Sequence, residues 1–219
     1  MNLIGQVKTL IRKEILLEWR SKYALNGILL YVVSTIFVCY LSFRKTDPLT
    51  WNALFWIIML FAAINAISKS FAQESRGRQL YYYSVASPQA VILAKIIYNV
   101  FLMLLLAIIA IGVYSIVFKN TVGDPLFYFL AVVMGSLSFS TVFTMISGIA
   151  SKSGNSGALM AILSFPVIIP LLILLIKFSK NAMDGLDRSV SMDELGVLAA
   201  INLVVVTTSL LLFPYLWRE

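Results

Sequence analysis

A chain without a single histidine lacks the commonest metal ligand, general base and proton shuttle at once. Its one cysteine, Cys39, lies in an apolar run and reads as a small buried hydrophobe, so no intrachain disulfide can form. The sequence holds no G-x-x-x-x-G-K-[ST] phosphate loop, no H-E-x-x-H and no G-x-S-x-G. None of its long apolar runs carries an Asp or Glu in its interior, where proton- and ion-coupled transporters keep theirs. Nucleotide hydrolysis, intramembrane hydrolysis and self-powered transport have no visible machinery here. If the protein moves something uphill, the energy enters from another polypeptide.

The residues left that could act fall into a few groups. The segment 69–90 carries Glu74, Arg76, Gly77, Arg78 and Leu80, then Tyr81–Tyr83, and ends at Ser87-Pro88, where proline suits the first turn of a new helix. A short helix lying under a membrane, with its tyrosines at headgroup level, fits that composition. Ser136, Ser140, Thr144 and Gly148 place a small residue at every fourth position, a stripe that lets another helix approach closely. Pro166 and Pro170, one turn apart, free backbone carbonyls and bend a helix. A rearranging permease needs both features, and packing explains both equally well. Lys95 and Asn99 are also one turn apart; Lys95 is expected to snorkel to headgroups, and Asn65, Asn99 and Asn202 to bond neighbouring helices. Asp184, Asp187, Asp193 and Glu194 read as a solvated loop rather than a cation site.

The elements that must carry these residues are membrane spans. Hydrophobic residues make up 60% of the 219 and charged ones only 12%, against about 45–50% and about 25% in soluble domains. Six continuous apolar runs, 23–43, 51–68, 91–118, 126–150, 158–176 and 196–217, match the roughly 20 residues a helix needs to cross a bilayer. They are too long and too continuous for the strands of a membrane barrel. The expected fold is a single all-α permease domain over 1–219, with a cytoplasmic loop at 69–90 and an outer loop at 177–195.

Residues 2–22 form an amphipathic lead-in and not a secretory leader, because no short basic region runs into a small-residue cleavage site. Leu3, Ile4, Val7, Leu10, Ile11, Ile15 and Leu17 share an arc, with Lys8, Arg12, Lys13 and Arg20 opposite; Glu14 interrupts the arc and Leu16 lies off it. That suits an interfacial helix on the cytoplasmic leaflet, as an anchor or as a docking element. With both termini cytoplasmic, eleven of the seventeen basic residues lie inside, which satisfies the positive-inside rule. The inner face then carries the whole net charge of +7, pointing to anionic lipid and not to nucleic acid.

An amphipathic lead-in, six spans and a charged loop between spans two and three resemble the type 2 permeases of ATP-binding-cassette exporters. More narrowly, the chain resembles the CcmB-type haem exporter permeases of cytochrome c maturation. Phe71, Glu74 and Gly77 leading to Pro88 and Val91-Ile92-Leu93-Ala94-Lys95 carry the likeness. So do Ser153-Gly154, Leu159, Ile162-Leu163, Phe165-Pro166 and Ile169-Pro170-Leu171-Leu172-Ile173. The acidic residue usual after the loop glycine is missing, since Arg78-Gln79-Leu80 follow Gly77.

The resemblance implies a bacterial inner-membrane subunit without catalysis of its own. It implies a CcmA-like ATPase docked at Glu74, Arg76, Gly77, Arg78 and Leu80, a CcmC-like haem-handling subunit and a second copy of the chain. ATP would bind in the partner, and its hydrolysis would drive release of a haem-loaded chaperone. The complex handles haem, but direct ligation by this chain has only Met, Tyr, Cys39 or Lys to use, in no recognisable arrangement. A lipid- or glycan-exporting permease and a non-transporting scaffold are the competing readings.

Overall fold

A computed structural model describes residues 3–21, 23–43, 47–68, 70–71, 86–118, 122–151 and 156–218. In chain order the helices are α1 (Leu3–Ser21), α2 (Tyr23–Ser42), α3 (Pro48–Ile67), α4 (Pro88–Phe118), α5 (Pro125–Ala150), α6 (Ser156–Met183) and α7 (Met192–Arg218). A short 3-10 turn, Arg188–Ser191, precedes α7, and no strand occurs among the described residues.

Sequence chemistry sets several of these boundaries. Three helices start at proline: Pro48, Pro88 and Pro125. A first-turn proline loses nothing, because its missing N–H would have had no partner inside the helix. The residue before each supplies the cap. The side chains of Asp47 and Asp124 accept from the N–H groups of Thr50 (3.2 Å) and Phe127 (3.1 Å), and Ser87 Oγ accepts from Ala90 N–H at 3.3 Å.

Five segments are long and apolar enough to cross a membrane: Pro48–Ile67, Pro88–Phe118, Pro125–Ala150, Ile162–Met183 and Arg188–Leu216. The apolar helix Asn26–Ser42 is shorter. The expected outer loop 177–195 is mostly helical, because buried Phe178 and Ala182 carry α6 down to Met183. Gly185, at φ +64°, then turns the chain before the 3-10 turn and α7. Its acids meet bases of the same protein: Glu194 pairs with Lys177 at 2.7 Å, and Asp184 with Lys180 at 3.9 Å.

From α2 to α7 the helices alternate in direction, and α1 runs parallel to α4. At one end Phe71 meets Phe213 at a tilt (5.5 Å between centroids) beside Gly148, and Ser147 Oγ donates to Ser68 O. At the other, Gly123 N–H donates to Met183 O, Arg188 donates to Asp124 at 2.9 Å, and Tyr40 meets Phe118. Between them lies one apolar core. Its half near α3's start is aromatic: Trp51, Phe55, Tyr114 and Tyr128 touch edge to face or tilted.

The tightest fit in that core is between α3 and α5. A methyl group on Gly135 would stand 2.3 Å from the Trp56 ring, whose Nε1 is held at 2.8 Å by Ser179 Oγ of α6. The indole therefore cannot yield without breaking that bond.

Gly135→Ala is expected to lower the detergent-solubilised protein's stability by about 1–3 kcal/mol, the usual cost of overpacking. Gly112→Ala, whose added methyl meets nothing within 4 Å, is the control and should leave the melting curve unmoved or raise it. A second prediction concerns pH. The Arg188 hydrogen bond, then the Phe127 N–H, hold the Asp124 carboxyl below its ordinary 3.8. A depressed folded value means a contribution present above the unfolded value and lost as the pH falls through the folded one. The melting difference between wild type and Asp124→Asn should therefore be full at neutral pH and vanish below the ordinary carboxylate range.

Candidate functional site

The functional candidate nearest to the described structure is the base of the 69–90 loop. Glu74, Arg76, Gly77, Arg78 and Leu80, the expected docking residues, lie outside the described residues, as do Tyr81–Tyr83. The loop's two ends, Ser70–Phe71 and Ala86–Ser87, are described, and both are fastened to the bundle.

Lys95 is the centre of the first fastening. Expected to snorkel to headgroups, it is instead 2% exposed, on the face of α4 that α1 covers. Its Nζ lies 3.1 Å from Glu14 Oε1, donates to Ser70 O and stands 4.8 Å from the centre of the Phe71 ring. Snorkelling fails because a better partner is closer. Glu14 interrupts the apolar arc of α1 where the middle of that arc packs on protein, with Val7 against Ala90 and Ala94 and with Leu10 and Ile11 beside them, while Ile4 and Ile15 at its edge are exposed. Two residues that spoil their own stripes thus answer each other.

One turn further along α4, Asn99 Nδ2 donates to Ser70 Oγ (3.2 Å) and to Thr144 Oγ1 (2.8 Å). Ser140 Oγ donates to Asn99 O at 3.1 Å, and Ser147 Oγ to Ser68 O at 3.2 Å. The start of the loop is thereby tied to α1, α4 and α5 together. The loop's exit is tied as well. Ser87 donates from its N–H (3.1 Å) and its Oγ (2.9 Å) to Gln6 Oε1 of α1. Glu18, one turn beyond Glu14, is hydrogen-bonded to Tyr98 of α4.

The stripe on α5 reaches this site. Ser140 and Thr144 bond α4, Gly148 admits Phe71 and Phe213, and Ser136 bonds back to Val132 O of its own helix. Pro166 and Pro170 are elsewhere, on the exposed side of α6. Asn202 donates to Ser138 Oγ (2.7 Å) and accepts from Thr141, joining α7 to α5, whereas exposed Asn65 bonds only Phe61 O of its own helix. Asn52, unremarked in the sequence, is fully buried; it donates to Ile176 O and accepts from Ser179 and Tyr128.

Chemically the described part of the site is a tie, with donors and acceptors satisfied by one another. Among the described residues no three His, Cys, Asp or Glu gather to hold a metal.

The pair predicts an asymmetry. Glu14→Gln removes the carboxylate that stands 3.1 Å from a buried ammonium and should cost about 3–5 kcal/mol. Lys95→Met should cost less, because Glu14 keeps Lys13 at 3.0 Å and is partly exposed. The double variant should melt above Glu14→Gln alone; additive losses in detergent melts would show that the two do not act as a pair.

No curated protein matches the chain. The family described as CcmB protein matches residues 6–215, which include every residue of the tie. Members are membrane permease subunits of the cytochrome c maturation and haem-export system, which agrees with helices of membrane-spanning length. On that match this chain, a multi-pass membrane protein, belongs to the CcmB family.

Proposed function

We propose that this chain is the permease subunit through which a separate ATPase acts on cytochrome c maturation. The observation that carries the reading is the double fastening of the 69–90 loop, with Ser70 bonded to the α4 side chains Lys95 and Asn99 and Ser87 to the α1 side chain Gln6. A segment that only linked two spans would need no such ties. A segment that receives a push needs both ends gripped, so that displacement reaches the bundle and is not absorbed by the loop.

On this reading six spans place both termini in the cytoplasm of a bacterial inner membrane, with α2 as the first span and α1 against the inner leaflet. A CcmA-like ATPase docks at Glu74, Arg76, Gly77, Arg78 and Leu80. Its nucleotide-driven closure shifts α1, α4 and α5 between two arrangements, the pair of protein and nucleotide acting as a two-state element. The Ser140–Thr144–Gly148 contacts and the proline-bearing α6 supply the surfaces that move. A CcmC-like haem-handling subunit and a second copy complete the complex, and ATP hydrolysis in the partner drives release of the haem-loaded chaperone. This chain transmits force and leaves haem iron to its partners.

Reversing charge in Arg76→Glu/Arg78→Glu should leave the protein inserted while mature c-type cytochrome falls at least about tenfold, the factor set by losing ~1.4 kcal/mol of docking energy. Cytochrome yield at the wild-type level in that variant, with normal abundance in the membrane, overturns the docking site. Co-purification with glycan or lipid enzymes in place of maturation subunits would keep the coupling geometry and replace the cargo.

A further inference from the structure

The charges of α1 are sorted. Its two acids are taken up inside the protein: Glu14 by Lys95 and Lys13, and Glu18 by Tyr98. Three of its bases are not. Lys8, Arg12 and Arg20 are exposed and make no ion pair or hydrogen bond among the described residues. A helix that is mixed in sequence therefore presents only positive charge outward.

The same outward side carries large apolar groups. Ile4 is 80% exposed, Trp19 75% and Ile15 50%. At 3.6 residues per turn these three share an arc of about 80° with Lys8 and Arg12. Arg20 stands in the last turn, three positions before Tyr23, where the apolar helix α2 begins. A tryptophan and two isoleucines interleaved with cations, adjoining a helix of membrane composition, is the makeup of a surface that meets headgroups and the first carbons of acyl chains. A soluble acidic protein would match the cations but leave the apolar groups uncovered.

We propose that α1 binds anionic phospholipid headgroups through Lys8, Arg12 and Arg20, and that lipid seated there keeps the base of the 69–90 loop clamped. The clamp follows from the far side of the same helix: Gln6 holds Ser87, and Glu14 holds Lys95, which holds Ser70. Lipid composition then sets how firmly the loop is gripped. The lipid contact stands on α1 alone; its consequence for ATPase coupling rests on the function proposed above.

The test uses the full-length protein in nanodiscs of phosphatidylcholine, with and without phosphatidylglycerol. Native mass spectrometry reads phosphatidylglycerol retention, and hydrogen exchange reads the amides of α1, Ser70, Phe71 and Ser87. Phosphatidylglycerol should slow exchange at all of these. Lys8→Gln/Arg12→Gln/Arg20→Gln should bind it about a hundredfold more weakly, about fivefold per charge, and lose the slowing. Retention unchanged in the triple variant, or equal exchange in both nanodiscs, overturns the lipid site. Loss of a partner ATPase from the triple variant with phosphatidylglycerol retention intact assigns the cations to a protein and also overturns it. Glu14→Gln should keep retention but free the loop base in either lipid; slowing at Ser70 that survives this change overturns the clamp. None of these readouts depends on Arg76 or Arg78, so failure of the docking site leaves them unaffected.

Discussion

An ammonium group taken out of water must be met by a counter-charge and by acceptors for its hydrogens, and that requirement at Lys95 organises one whole end of this protein. The carboxylate comes from α1, the carbonyl from the start of the 69–90 loop and the aromatic face from Phe71. Removing any of these leaves a buried cation incompletely answered, so α1, α4 and the loop start are placed relative to one another by one side chain. Such a pair adds little net stability over an apolar replacement; its best-attested use is to fix register. Here the register fixed is that of α1 along α4, where the same offset of 81 residues recurs at Gln6–Ser87 and Glu14–Lys95.

The same logic recurs more mildly through the bundle. In a bilayer, apolar side chains gain nothing by preferring one another to lipid, so helix pairs are specified by close packing and by polar contacts. Asn99, Asn202 and Asn52 each join neighbouring helices, the first two meeting α5 at Thr144 and at Ser138 and Thr141. Gly135 and the Trp56 indole supply close packing where no polar group is available. These contacts are few and discrete, which suits a bundle with two arrangements better than a uniform apolar seam would.

Much of this was legible in the sequence, and the limits have physical causes. Length and apolarity locate most helix ends to within a few residues, because a long continuous apolar run in a bilayer satisfies its backbone within itself as a helix. The start of α3 was placed late, at residue 51, because Asp47-Pro48 belongs to the helix as cap and first residue although neither is apolar enough to mark a span. The end of α6 was placed early because Lys177 and Lys180 look like loop residues, whereas Phe178 and Ala182 on the other face are fully buried. Glu14 and Lys95 were each visible as misfits, but one chain gives no measure of which misfits meet, so the tie could be seen only in three dimensions. The docking residues Glu74 to Leu80 follow from the family likeness and remain outside the described residues.

The tie also has a history within each molecule's synthesis. Glu14 precedes Lys95, and Gln6 precedes Ser87, by 81 residues. At about 5–20 residues per second a ribosome leaves α1 waiting for roughly 4–16 s before its partners on α4 have been made. During that interval Glu14 has only neighbours such as Lys13 to face, and α1 has no protein surface to pack on. The first helix made is thus among the last to be seated. Closure of this end of the bundle reports that α4 has been inserted in the right orientation, because an α4 threaded the other way would put Lys95 on the wrong side of the membrane from Glu14.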